Sequence, residues 1–137
     1  MKPLFRRLNA LKVLALFLEN PRSEAHLRQA ARKLRMSPAT VLRGLQLLES
    51  EGLVSRRTER NATYFRAAMT AEFKALKVAY TMARIESAGV AEFVSSRSRG
   101  LASLLLYGSA SRGEDDAESD YDFLLIAAES GARASDL

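Results

Sequence analysis

The sequence predicts an α+β protein of two unlike halves: three short helices and a β-hairpin, a linking helix, then a helix with two strands. Three observations point there. Apolar residues recur at helical spacing as far as Gly52 and alternate over residues 53–67. Two apolar runs near the end bracket a polar loop, LLLYGSASRGEDDAESDYDFLLI over residues 104–126. Charge divides in the same way: residues 1–70 carry 14 Lys/Arg against 5 Asp/Glu, a net of +9, whereas residues 71–137 carry 7 against 11, a net of −4. A basic front suggests a polyanion partner, and an acidic rear suggests a metal or a basic partner. The expected division is 1–69, 70–98 and 99–137.

The first helix is expected over residues 4–19, with Leu4, Leu8, Leu11, Ala15 and Leu18 on one stripe and Asn20 and Pro21 ending it. Ser23 is an N-cap candidate for a second helix carrying Leu27, Ala30, Ala31 and Leu34. His26, the only histidine, stands directly between Ala25 and Leu27 and reads as a surface residue. After a tight turn at Arg35 and Met36, Ser37 caps a third helix. Pro38 takes its first position, where a missing N–H costs nothing, and Gly52 follows its end. Val41, Leu45 and Leu48 form its inward stripe; Ala39, Thr40, Arg43, Gly44 and Gln46 form a small or polar opposite face, and Leu42 and Leu47 fall off the inward stripe. Two strands follow, 53–57 and 63–67, joined by a tip over 58–62, with Arg56, Arg57, Arg60 and Arg66 crowding the hairpin.

Helix, turn, helix and hairpin, carrying the run SPATVLRGLQLLESEGLVSRR, resemble over residues 4–67 the winged helix-turn-helix domain of bacterial and archaeal regulators of the MarR/ArsR type. The resemblance implies that the third helix enters the major groove of double-stranded DNA, with Ser37, Ala39, Thr40, Arg43 and Gly44 against it. Arg56, Arg57, Arg60 and Arg66 would then meet the flanking phosphates. It also implies a homodimer formed through the helix after the wing. Over residues 71–97 the chain reads as helical with a break near Gly89, and Phe73, Leu76, Tyr80, Ala83 and Ser87 recur as a dimer seam; packing within one chain is the alternative. Val90, Phe93 and Val94 are expected to cover one face of the following strands, with residues 95–100 as an exposed turn.

In the rear loop, Gly108 and Gly113 let the backbone turn tightly and approach a ligand, while Ser109 offers a hydroxyl and an N–H to a phosphate oxygen. Asp120 and Asp122 are two apart, so a strand would present both carboxylates on one face, close enough to share Mg²⁺ and hold a nucleoside triphosphate. Gly108, Ser109, Arg112, Gly113, Ser119, Asp120 and Asp122 resemble the signature of the nucleotidyltransferase superfamily of DNA polymerase beta, in particular its minimal prokaryotic members. The resemblance implies nucleotide binding at Gly108, Ser109, Arg112, Gly113 and Ser119, and metal-binding, catalytic carboxylates at Asp120 and Asp122. Members that transfer nucleotides use a third carboxylate from a later strand. Glu129 and Asp136, in AAESGARASDL, do not lie in a strand-like segment, so the module is expected to be partial, as a truncated relic or as one completed by another chain.

The function expected is a DNA-binding transcriptional regulator, with Mg²⁺-dependent nucleotide transfer to a protein or nucleic acid as the alternative. Family analogy adds an antitoxin role, so a toxin or an acceptor protein joins the expected partners. No run of 18 apolar residues suits a membrane span, and Glu19 argues against a signal peptide. With no cysteine there are no disulfides or thiolate metal sites, a pattern that fits the cytoplasm.

Overall fold

The computed structural model describes residues 8–98 and 100–127. Expectations at Leu4, Glu129 and Asp136 lie outside the described residues. Helix α1 spans Asn9–Glu19, strand β1 Ala25–His26, helix α2 Leu27–Leu34 and helix α3 Pro38–Ser50; β2 (Val54–Glu59) and β3 (Ala62–Ala67) form the hairpin. Helices α4 (Ala71–Ser87) and α5 (Val90–Arg97) follow, then β4 (Leu101–Tyr107), the single turn α6 (Gly108–Ser111) and β5 (Asp122–Ala127). One antiparallel sheet has the order β1-β3-β2 and the other pairs β4 with β5. Among the described residues no helix is long and apolar enough to cross a membrane.

The start of α3 follows from its sequence. The Thr40 N–H donates to Ser37 Oγ at 3.2 Å, and Pro38 occupies the first turn. Ser23 does not cap α2. Its hydroxyl donates to the Asn20 carbonyl at 3.0 Å, because Ala25 and His26 extend to pair with Phe65 and Tyr64, which moves the helix start to Leu27. His26 is half-buried there, its ring 4.0 Å from that of Tyr64. The hairpin is longer and its tip tighter than the alternation suggests. Arg60 and Asn61 take φ of 45° and 65°, a two-residue turn whose left-handed conformation matches the twist of the strands.

The front core joins Val13, Leu14, Phe17 and Leu18 of α1 to Val41, Leu45 and Leu48 of α3, Val54 and Phe65 of the hairpin, and Phe73 and Tyr80 of α4. Burying a side chain the size of Phe17 or Phe73 contributes roughly 1.5–3 kcal/mol. The α1 stripe is rotated from the expected one, and Leu8 is 54% exposed. Gly44 faces inward as well: a Cβ there would lie 3.0 Å from Val13 Cγ2, so this glycine lets α3 approach α1 and does not reach the outer surface. The expected seam on α4 is also divided. Phe73 and Tyr80 belong to the core of their own chain, with Lys77, Thr81 and Ile85 buried beside them, while Leu76 and Met82 remain exposed.

The rear sheet is thinly covered. Leu105, Tyr107, Leu124 and Ile126 are each about half exposed. Phe93 is 48% exposed with the Arg97 guanidinium 4.2 Å from its ring centre, so of the expected α5 stripe over this sheet only Val94 is buried.

Tyr80 links α4 to α1 by donating to Glu19 Oε1 at 2.9 Å. Burial, then the hydrogen bond to Glu19, pushes its phenol up to about 12. The neutral phenol is thus favoured in the folded state, and its stabilisation is complete below the unfolded value of 10.0 and lost as pH rises through about 12. An absorbance titration should show a late phenolate step near pH 12 that is absent in Tyr80→Phe.

Candidate nucleic-acid interface and glycine-serine turn

The outward face of α3 presents Ala39, Arg43, Gln46 and Leu47, all exposed, beside the half-buried Thr40. Ser37 and Thr40 lie at its start with their hydroxyls 2.8 Å apart, so both are engaged in the cap. Leu47 is 49% exposed, an apolar group on a surface otherwise polar. Among the described residues Arg43 has no acidic partner.

The four hairpin arginines are not equivalent. Arg56 Nε pairs with Glu49 Oε1 at 3.2 Å, tying the wing to α3. Arg57 is held by Glu24 at 3.1 Å and Glu59 at 2.6 Å over the face of Tyr64, and its hydrogen bond to Glu24 is the main cause of its raised pKa. Arg60, at the tip, has no acidic partner among the described residues. Arg66 sits at the base of the hairpin opposite Ser55, to whose Oγ its Nε donates at 3.4 Å, and it faces a cleft toward α4. The sequence reading overlooked Arg28, Arg32, Lys33 and Arg35, which are exposed on and just after α2; the charge run RQAARKLR was their signal.

In the rear unit, β4 delivers Gly108 at φ 76°, directly beside the start of β5. A Cβ on Gly108 would run into Asp122 Oδ2, so the glycine makes room for that carboxylate. Asp120 lies two residues before the strand, also exposed, and not on it as expected. Gly113 has another role: a Cβ there would strike the Lys74 carbonyl, so its close approach is to α4 and not to a ligand. Ser119 is likewise occupied, its hydroxyl donating to Asp116 Oδ1 at 3.0 Å and accepting from the Asp116 N–H at 3.0 Å. Arg112 Nε pairs with Glu114 Oε2 at 3.1 Å. No cluster of three or more potential ligands for a metal occurs among the described residues.

What the motif did not reveal is how the loop is anchored. Three consecutive acids each hold a cation: Glu114 with Lys74 at 2.7 Å, Asp115 with Lys77 at 2.6 Å, and Asp116 with Arg22 at 3.0 Å. The middle pair is fully buried, both side chains at 1% exposure, and Asp115 Oδ1 lacks a hydrogen-bond partner among the described residues. The outer two are held below the ordinary carboxylate range. Glu114 is lowered chiefly by its hydrogen bond from Lys74, and Asp116 chiefly by the Glu118 N–H. Depressed carboxylates stabilise the fold above their unfolded values, here 4.5 and 3.8, and that contribution is lost as pH falls through the lower folded values. The protection of the Glu118 and Ser119 amides, relative to their intrinsic exchange rates, should therefore fall as pH drops below the ordinary carboxylate range of about 4, before that of the α1–α3 core does.

Residues 8–58 match the model of the IclR helix-turn-helix domain family. The solved structures include the homodimeric winged helix-turn-helix DNA-binding domain of Mb0332 from Mycobacterium bovis, 26% identical over 60% of this chain and 72% of that one, with a TM-score of 0.48. No curated protein matches the chain. The front of the molecule is a winged helix-turn-helix domain.

Proposed function

We propose that this chain is a dimeric, DNA-binding transcriptional regulator whose rear unit binds a nucleotide. The observation that carries the DNA reading is the placement of cations without acidic partners among the described residues: Arg43 on the outer face of α3 and Arg60 at the wing tip. These are the two elements that a winged helix presents to a duplex, with α3 in the major groove and the tip beside phosphates. Arg28 and Arg32 on α2 are further exposed cations, whereas Arg56 is neutralised by Glu49 of α3 and Arg57 by Glu24 and Glu59. Leu76, Ala79 and Met82, exposed at helical spacing on α4, supply an apolar stripe for a second copy, one notch from the stripe that packs inward.

The rear reading rests on Gly108 against Asp122. Backbone and hydroxyl groups at Gly108 and Ser109 would receive phosphate oxygens, and Asp120 and Asp122 would hold Mg²⁺, a cation content with one or two carboxylates when phosphates and water complete its shell. Bound there, the ion would neutralise charge on a triphosphate.

The test is a titration against random and genomic duplexes at 50 and 200 mM salt, repeated with Mg²⁺ and ATP. Selective binding that falls roughly a thousandfold between the two salt concentrations is expected if the interface neutralises about six phosphates, together with a nucleotide-dependent shift abolished in Asp122→Asn. Affinity indifferent to salt overturns the DNA reading; absence of any nucleotide effect overturns the sensing one.

A further inference from the structure

Behind the wing lies an open cleft of about 840 Å³. Its walls come from four parts of the chain: the turn after α1 (Arg22), the base of the hairpin (Ser55, Arg66), the start of α4 (Lys74) and the acidic loop (Glu114). No residue of the outer face of α3 lines it, and neither do Gly108, Ser109, Asp120 or Asp122; Glu114 is the one residue between Gly108 and Asp122 that does.

The charges on this cleft are unbalanced. Arg22, Arg66 and Lys74 face it, against one lining carboxylate, Glu114, which is already shared between Lys74 and Arg112. Arg22 reaches out of the cleft to Asp116 at 3.0 Å while its side chain stays 78% exposed. Arg66 has only the 3.4 Å contact with the Ser55 hydroxyl and no acidic partner among the described residues. A guanidinium holding one long, neutral hydrogen bond retains most of its donors for a planar or tetrahedral oxyanion.

We infer that the cleft between the wing base and α4 is a binding site for a small phosphorylated anion, with Arg66 and Arg22 as its phosphate ligands and Lys74 as the third cation. Such an anion draws on the same Arg22 and Lys74 that anchor Asp116 and Glu114, so its binding is linked to the hold of the acidic loop. The Glu114 N–H donates to the Ser109 carbonyl at 3.0 Å, which continues that link to the glycine-serine turn. The inference does not depend on the rear unit binding a nucleotide.

Phosphate chemistry here has two sources, a free phosphorylated molecule or the DNA backbone, and one set of variants separates them. Calorimetric titration of the full chain with inorganic pyrophosphate at low ionic strength should give saturable 1:1 binding. Arg66→Ala and Arg22→Ala should each weaken it about tenfold, the size expected when a charge-assisted hydrogen-bond pair to phosphate is removed. Arg97→Ala, which removes an exposed arginine stacked on Phe93 and not lining the cleft, should leave it unchanged. Backbone amide shifts on adding pyrophosphate should centre on Ser55, Ala67 and Ala68. The inference is overturned by non-saturable binding, or by an equal loss in Arg97→Ala, which would show a diffuse basic surface. It is equally overturned if Arg66→Ala spares pyrophosphate binding but lowers duplex affinity and its salt dependence, because the arginine would then serve DNA.

Discussion

Lys77→Met is expected to cost about 3–5 kcal/mol, the largest stability loss of any single change away from the front core, because it leaves the Asp115 carboxylate buried and unpaired. Both side chains are 1% exposed, the ion pair is 2.6 Å long, and the remaining help for Asp115 is a Thr81 hydroxyl at 3.5 Å. Asp115 Oδ1 already has no partner among the described residues, so no second donor stands ready to compensate. Against a total stability of roughly 5–15 kcal/mol for a domain of this kind, the loss would be visible in urea or thermal unfolding. A double variant, Lys77→Met with Asp115→Leu, removes both charges and should recover most of it. If Lys77→Met costs under about 1 kcal/mol, or the double variant is no better, the pair does not act as an isolated buried charge couple. The consequence for function is positional: Asp115 lies between Glu114 and Asp116, so losing its anchor should loosen the loop that connects Gly108 to Asp122.

This pair also shows where sequence reading stops. Much of the front was legible, because local chemistry decides it: Ser37 and Pro38 start α3, Val41, Leu45 and Leu48 point inward, and alternation marks the hairpin. The motif marked Gly108 and Asp122 as parts of one ligand site, but not that the glycine leaves room for the Asp122 carboxylate itself. Lys77 was not, since a lysine within a helical run reads as solvated until an acid distant in the chain folds over it. Gly44 and Gly113 were misjudged for a related reason. Each is small to admit another part of the same chain, Val13 for the one and the Lys74 carbonyl for the other, and composition cannot distinguish that from room for a ligand. The wing arginines were read as one group because charge is visible in sequence and neutralisation is not: Glu24 and Glu49, the partners of Arg57 and Arg56, come from other elements.

That division among the arginines makes the second large prediction specific. Arg43→Ala should weaken binding to a selected duplex by about 1–3 kcal/mol, or roughly 5–150-fold, and relax base preference at one position, because Arg43 stands on the outer face of α3, which in the proposed complex would lie against base edges. Arg60→Ala, at the wing tip, should weaken binding to all sequences about equally and lower the salt dependence by about one unit, as expected for one lost phosphate contact. Arg57→Ala should do less than either, since Glu24 and Glu59 already neutralise Arg57. Competition titrations with selected and random duplexes at several salt concentrations separate the three. Should Arg57→Ala match Arg43→Ala, the wing must release its internal pairs on binding; if Arg43→Ala loses affinity equally on every sequence, α3 touches the backbone only and base recognition belongs to another element.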